Sequence, residues 1–141
     1  MRMIGWIVLI VLIGLAASIR LAPSDPARWH RGTGKTEVGE VQRKGSYAWR
    51  AEVAGDGREI LAKIDQVAMA TPRTRRLAGS VEEGQITYVT RTRVMGFPDY
   101  TTVSLVGEDP KILEIFARLR FGRSDFGVNA ARVREWRRAI E

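Results

Sequence analysis

Residues 111–121 read KILEIFARLRF, and the period of this stretch decides the fold. Leu113, Ile115, Ala117, Leu119 and Phe121 alternate with Glu114, Arg118 and Arg120. Successive side chains of an extended chain point to opposite faces, so the alternation predicts an antiparallel strand with one buried face and one polar face. A sheet with one apolar face needs a second layer, and the neighbouring sequence supplies it.

Upstream, SYAWRAEVA (46–54) alternates Tyr47, Trp49, Ala51 and Val53 with polar residues, a half-buried strand. Asp56-Gly57 turns the chain into REILAKIDQVAMA (58–70), where Ile60, Ile64 and Val67 share a helical face beside Leu61 and Ala68, and Pro72 ends the helix. A short strand over 75–80, a Glu82-Glu83-Gly84 turn, QITYVTRTRV (85–94), a GFPD turn (96–99) and YTTVSLVG (100–107) lead to the decisive strand. Downstream lies SDFGVNAARVREWRRAIE (124–141). Asn129 is a candidate N-cap, and a stripe of Val133, Trp136 and Ile140 predicts a helix docked by that edge. The expected fold class is α+β: an antiparallel sheet of about five strands with two helices on one face, in the order strand-helix-four strands-helix.

Ahead of the domain, residues 3–19 are apolar and uncharged between Arg2 and Arg20. As a helix they cover roughly 25 Å against about 30 Å of hydrocarbon, with the flanking arginines snorkelling outward. A cleaved secretory signal also fits, with Arg2 as the basic region, residues 4–15 as the apolar core and Ala16-Ala17-Ser18 as the cleavage site. The anchor is favoured because the cleavage pattern is weak and Arg20 follows closely. Arg20, Arg28 and Arg31 argue for a cytoplasmic domain, yet long trailing domains translocate largely regardless of charge. The expectation is therefore a single-pass protein of a bacterial inner membrane with its domain on the periplasmic side.

The division is 1–20 anchor or signal segment, 21–45 linker and 46–141 domain. Pro23, Pro26, Gly32, Gly34, Gly39 and Gly45 make the middle segment read as a spacer, with Trp29 at the membrane interface or against the domain. Within it, GTGKT (32–36) lacks the phosphate-loop pattern, since Trp29 stands where the first glycine belongs and no strand precedes it. The chain has no cysteine and a single histidine, His30, which excludes disulfides, thiol catalysis, thiolate or multi-histidine metal sites and a histidine-based triad. No metal or cofactor is expected. Net charge is +7, from 19 Arg, 4 Lys and 16 acidic residues. That balance suits anionic lipid, an acidic polymer or nucleic acid, and nucleic acid is disfavoured because no basic motif interleaved with aromatics occurs.

The stretch 120–132, RFGRSDFGVNAAR, resembles the closing signature of an uncharacterised family, domain of unknown function 1499. The shared positions are Arg120, Gly122, Ser124, Asp125, Gly127, Asn129 and Arg132. One departure is Leu119, where the family's pattern has serine; a ligand held by that serine in relatives would lack its partner here. The resemblance implies no activity, substrate or cofactor. The element order is also similar to the TATA-box-binding fold and the helix-grip ligand binders, an analogy that transfers no function.

Arg91 and Arg93 share one sheet face, and Arg118 and Arg120 another pair of same-face positions. Were their strands neighbours, four guanidiniums would converge on the face opposite the core and, with Arg123 at one end, hold a phosphate or carboxylate. The alternative is a solvated sheet face with Glu114, Asp99 or Glu82 as ion-pair partners. Gly122, Ser124, Asp125, Gly127, Asn129 and Arg132 have a sufficient structural role at a strand-to-helix corner, stapled through Asp125 by Arg120 and Arg132. The preferred reading is a tethered, non-enzymatic domain binding an anionic small molecule, a lipid headgroup or an envelope protein. A hydrolase or transferase using Asp99 or Asp125 as base is a second class, with a purely structural scaffold as a third.

Overall fold

In the computed structural model, which describes residues 1–141, the alternation of 111–121 organises one six-stranded antiparallel sheet. The elements in chain order are α1 (Arg2–Leu21), α2 (Pro26–Trp29), β1 (Gly39–Arg43), β2 (Ser46–Val53), α3 (Arg58–Ala70), β3 (Thr74–Ser80), β4 (Gln85–Arg91), β5 (Pro98–Val106), β6 (Lys111–Leu119) and α4 (Val128–Arg137). The strands lie in the order β1-β2-β6-β5-β4-β3. The first and last parts of the chain thus meet at β2 and β6, where Trp49 pairs with Ile115.

Both helices pack on the face carrying Leu113, Ile115 and Ala117. Together with Tyr47, Tyr88 and Val103 of the neighbouring strands they bury Leu61, Ile64 and Ala68 of α3 and Ala130, Val133 and Trp136 of α4. Trp136 is fully buried, stands edge-on to Tyr88 and donates its indole N–H to Thr71 Oγ1 at 2.9 Å. Against the expected stripe of α3, Leu61 and Ala68 are buried while Ile60 and Val67 pack at the margin. The first turn of α4 is capped at Gly127 rather than Asn129, which lies one residue inside the helix.

The sixth strand, β1, comes from the segment read as a spacer. The rest of that segment is not free either: residues 23–37 form a strap across the opposite face of the sheet. Trp29 stacks on Tyr100 with ring centroids 4.0 Å apart and planes 8° from parallel, so it rests against the domain. His30 Nδ1 and Thr87 Oγ1 are 2.9 Å apart, and Gln85 donates to the His30 carbonyl at 3.1 Å. The rejected phosphate-loop glycine has a packing role. A methyl group at Gly32 would lie 2.5 Å from Glu114 Oε1 and 2.9 Å from Ser104 Oγ. Glycine lets the strap approach the sheet that closely.

Helix α1 has no buried residue, meets the domain through Arg20 near its end, and has a mean hydropathy of 2.4 over its most apolar window. It is long and apolar enough to cross a membrane, a property a signal segment shares.

Candidate functional site

The turn between β4 and β5, residues 92–97, closes on its own backbone. Thr92 Oγ1 accepts the Phe97 N–H at 2.9 Å, Gly96 N–H donates to the Thr92 carbonyl at 3.1 Å, and Gly96 has a positive φ of 69°. Arginines donate to three carbonyls in and beside this turn. Arg91 donates to the Gly96 carbonyl at 2.9 Å, Arg20 from the end of α1 to the Val94 carbonyl at 3.0 Å, and Arg73 to the Arg91 carbonyl at 3.1 Å. With Arg93, these four guanidiniums line a concavity of 470 Å³ floored by Thr92 and Gly96. None of the four forms an ion pair with a carboxylate. A methyl at Gly96 would sit 2.9 Å from Arg20 Nε, so the arginine head lies close over the turn backbone.

A larger cleft of 690 Å³ lies between that turn and the corner joining β6 to α4. Its walls include Phe97, Leu119 and Phe121, and the exposed Arg93 and Arg123 line it together with Asp99. Asp99 is 4 % exposed and faces Arg132 across 3.5 Å. Burial pushes its carboxyl up to about 6; Arg132 pulls it partly back, while Asp125 adds a further small upward push. Burial likewise holds the Arg132 guanidinium below its ordinary value, opposed by Asp99.

The corner is built by its own side chains. Asp125 accepts the Gly127 N–H at 2.9 Å and the Asn129 side-chain amide at 2.7 Å, while its own N–H donates to the Lys44 carbonyl at 3.1 Å. Arg132 donates to Asn129 Oδ1 at 2.8 Å and turns its other end to Asp99. Ser124 Oγ accepts the Phe126 N–H at 3.3 Å, and Gly122 and Gly127 take positive φ values of 96° and 82°. Arg132 therefore reaches Asp125 through Asn129 and not directly. Asp99 pairs with Arg132, and Thr92 holds the 92–97 turn.

The expected convergence of Arg91, Arg93, Arg118 and Arg120 is not what the fold produces. Strand β5 lies between β4 and β6, with Arg91 opposite Pro98 and Arg118 opposite Tyr100. Arg118 is 8 % exposed beneath the strap, donating to the Trp29 carbonyl and, at 2.8 Å, to Thr102 Oγ1. Burial, with Arg31 nearby, pushes its guanidinium down to about 10. Arg120 donates to the Pro23 carbonyl at 2.8 Å and to the Tyr100 hydroxyl at 3.1 Å. Both arginines fasten the strap, and neither opens to the concavity at the turn.

Glu114 is the other correction. Expected on a solvated face, it is fully buried and paired with Arg50 at 2.6 Å. It also accepts the Thr33 N–H at 2.7 Å and the Thr33 hydroxyl, and Arg50 reaches Thr33 Oγ1 at 2.8 Å. Buried charges persist only when paired and hydrogen-bonded, and the strap completes that set. Arg20 and Arg73 of the turn concavity were also missed: Arg20 ends α1, far from β4 in the chain, and Arg73 precedes β3 and meets Arg91 only through the pairing of β3 with β4.

The class defined by these features is a strap-covered α+β sheet domain behind an apolar N-terminal helix. The model of a protein of unknown function family (DUF1499) matches residues 23–140, and the chain belongs to that family. The match begins at the strap, in keeping with the strap being part of the folded unit. No curated protein matches the chain.

Proposed function

We propose that this chain is a membrane-tethered, non-enzymatic domain that binds an anionic group, the phosphate of a membrane lipid headgroup, through Arg20, Arg73, Arg91 and Arg93. The observation that carries this reading is a set of four guanidiniums without a carboxylate partner, gathered where α1 meets the domain. Guanidiniums bind phosphate oxygens by charge-assisted, paired hydrogen bonds, and Arg is suited to that role. A spanning helix ending at Leu21 holds Arg20 at headgroup depth, where anionic lipid attracts basic residues. The protein is then single-pass, in a bacterial inner membrane, with the domain on the periplasmic side.

The test is calorimetric titration of full-length protein in zwitterionic detergent with glycerophosphate. Saturable binding that weakens about tenfold or more on each of Arg73→Glu and Arg93→Glu supports the reading, as one charge-assisted contact is worth roughly 1.5–3 kcal/mol. Equal binding by wild type and both variants, or none by wild type, overturns it.

A second reading has its own observation: Asp99 lies in a cleft with its carboxyl held at about 6, a value suited to general acid or base work in a hydrolase or transferase. Against it, Ser124 Oγ and Thr92 Oγ1 each accept a backbone N–H and neither is bonded to a carboxylate or histidine. Turnover of an envelope ester or glycan that disappears in Asp99→Asn would establish this reading over the binding one.

A further inference from the structure

The 690 Å³ cleft is flanked by apolar side chains that the fold turns outward. Phe126 is 94 % exposed, Val94 79 % and Met95 46 %, and Val128 stands beside them. All four line the cleft, two on each lip. Phe126 is held there by a backbone in the left-handed region, φ 53°, which a bulky residue adopts only under constraint. The constraint is the hydrogen-bonded Asp125 turn on one side and Gly127 on the other. A soluble surface has no use for such a cluster, and exposed apolar residues gathered at one rim mark a contact surface.

What covers the rim follows from its position. The Val94 carbonyl accepts a hydrogen bond from Arg20, in the final turn of the apolar helix, so the lip at residues 92–97 is tied to the point where α1 leaves the bilayer. Arg93 and Arg123, both exposed, line the same cleft as the apolar lips. Apolar residues bordered by arginine are the composition of a surface seated at the boundary of headgroups and acyl chains. The volume lies within the roughly 300–1,000 Å³ range of small-ligand sites.

We infer that the cleft is a lipid-facing binding site: its lips seat in the bilayer interface, and it takes the apolar chain of a membrane amphiphile against Phe97, Leu119 and Phe121, with Arg93 and Arg123 on the anionic end. This inference rests on the membrane-tethered reading and uses a neighbouring concavity, which shares Thr92 and Arg93 with the Arg20, Arg73, Arg91 and Arg93 site.

The absence of cysteine allows single nitroxide labels at Met95→Cys, Phe126→Cys and, as a control on the outer side of α3, Gln66→Cys. Full-length protein is reconstituted in vesicles of phosphatidylcholine and phosphatidylglycerol, the latter carrying a photoreactive diazirine in its acyl chain. The expected result is that labels at 95 and 126 are accessible to oxygen and shielded from a water-soluble nickel chelate, while the label at 66 is not shielded. Photolysis is expected to mark residues around Phe97, Leu119 and Phe121, with loss of that mark in Leu119→Trp, which fills the cleft without removing the lips. Equal nickel accessibility at 66, 95 and 126, or photoproducts confined to residues 3–19, overturns the inference. Failure here is separable from failure of the headgroup site: Arg73→Glu weakens glycerophosphate binding about tenfold or more and leaves the cleft photoproduct in place if both proposals hold. A glycerophosphate titration that is flat beside an intact cleft photoproduct removes the first alone.

Discussion

Under α3 and α4 the sheet presents Tyr47, Tyr88, Val103 and Ile115, whereas under the strap it presents Arg50, Thr87, Thr102, Glu114 and Arg118. Both sets are buried, and the physics that keeps each closed differs. The helical side is non-directional: each apolar side chain contributes area removed from water, and several packings would serve. On the strap side, the guanidinium of Arg50, the carboxylate of Glu114 and the hydroxyl of Thr33 each need the others at hydrogen-bond distance, so only one placement of the strap satisfies them. Burial of a salt bridge is weak support for stability but specific in what it demands, since a lone charge left behind is costly.

The largest effect should come from the helical side. Trp136→Ala is expected to cost about 4–5 kcal/mol by denaturant unfolding, because the indole is fully buried and its loss leaves a cavity between Tyr88 and Thr71. On the strap side, Glu114→Ala should cost about 3–4 kcal/mol by stranding Arg50, and the double change Arg50→Met with Glu114→Leu should recover most of the loss. A double variant as unstable as Glu114→Ala would mean that the pair itself, and not the stranded charge, supports the fold.

Asp99 sharpens the contrast, as a carboxyl buried at the edge of the helix-covered side. Its folded value of about 6 lies above the ordinary 3.8, so the folded state holds this proton more tightly than the unfolded chain. The stabilisation is complete below about pH 4 and is lost as pH rises through about 6. The full difference is on the order of 2–3 kcal/mol. Thermal melts of Asp99→Asn should lack this decline between pH 4 and 6 while the wild type keeps it. An identical slope in both proteins would show that Asp99 titrates as it does in the unfolded chain. The smallest effect is expected for Gly32→Ala, about 1–2 kcal/mol, from the contact it forces with Glu114 and Ser104. It should appear first as faster amide exchange of residues 29–33, with the helix-covered core unchanged.

Strands β2 and β6 and both domain helices were legible because each carries a period, two in KILEIFARL and near 3.6 in the Val133 and Trp136 stripe, while β3 to β5 were legible from the turns between them. The corner residues were legible as a turn, since Gly122, Asp125 and Gly127 have local roles. Strand β1 was not, because GEVQR exposes nearly every side chain and gives no alternation to read. The strap was misread as a spacer for a related reason: its prolines and glycines leave it irregular apart from the single turn α2, yet irregular chain can still dock. Its contacts are to residues tens of positions away, such as Thr33 to Glu114.

By itself, the sequence determined which face of each strand is apolar, where the apolar helix lies and which residues make the final corner, since these depend on neighbours in the chain. Only the tertiary structure decided what covers the polar face and which arginines meet. Periodicity states that a side chain points away from the core, but whether it then finds water, a strap or another guanidinium is set by strand order. Inserting β5 between β4 and β6 sent Arg118 and Arg120 to the strap and left Arg91 and Arg93 with Arg20 and Arg73 at the foot of α1.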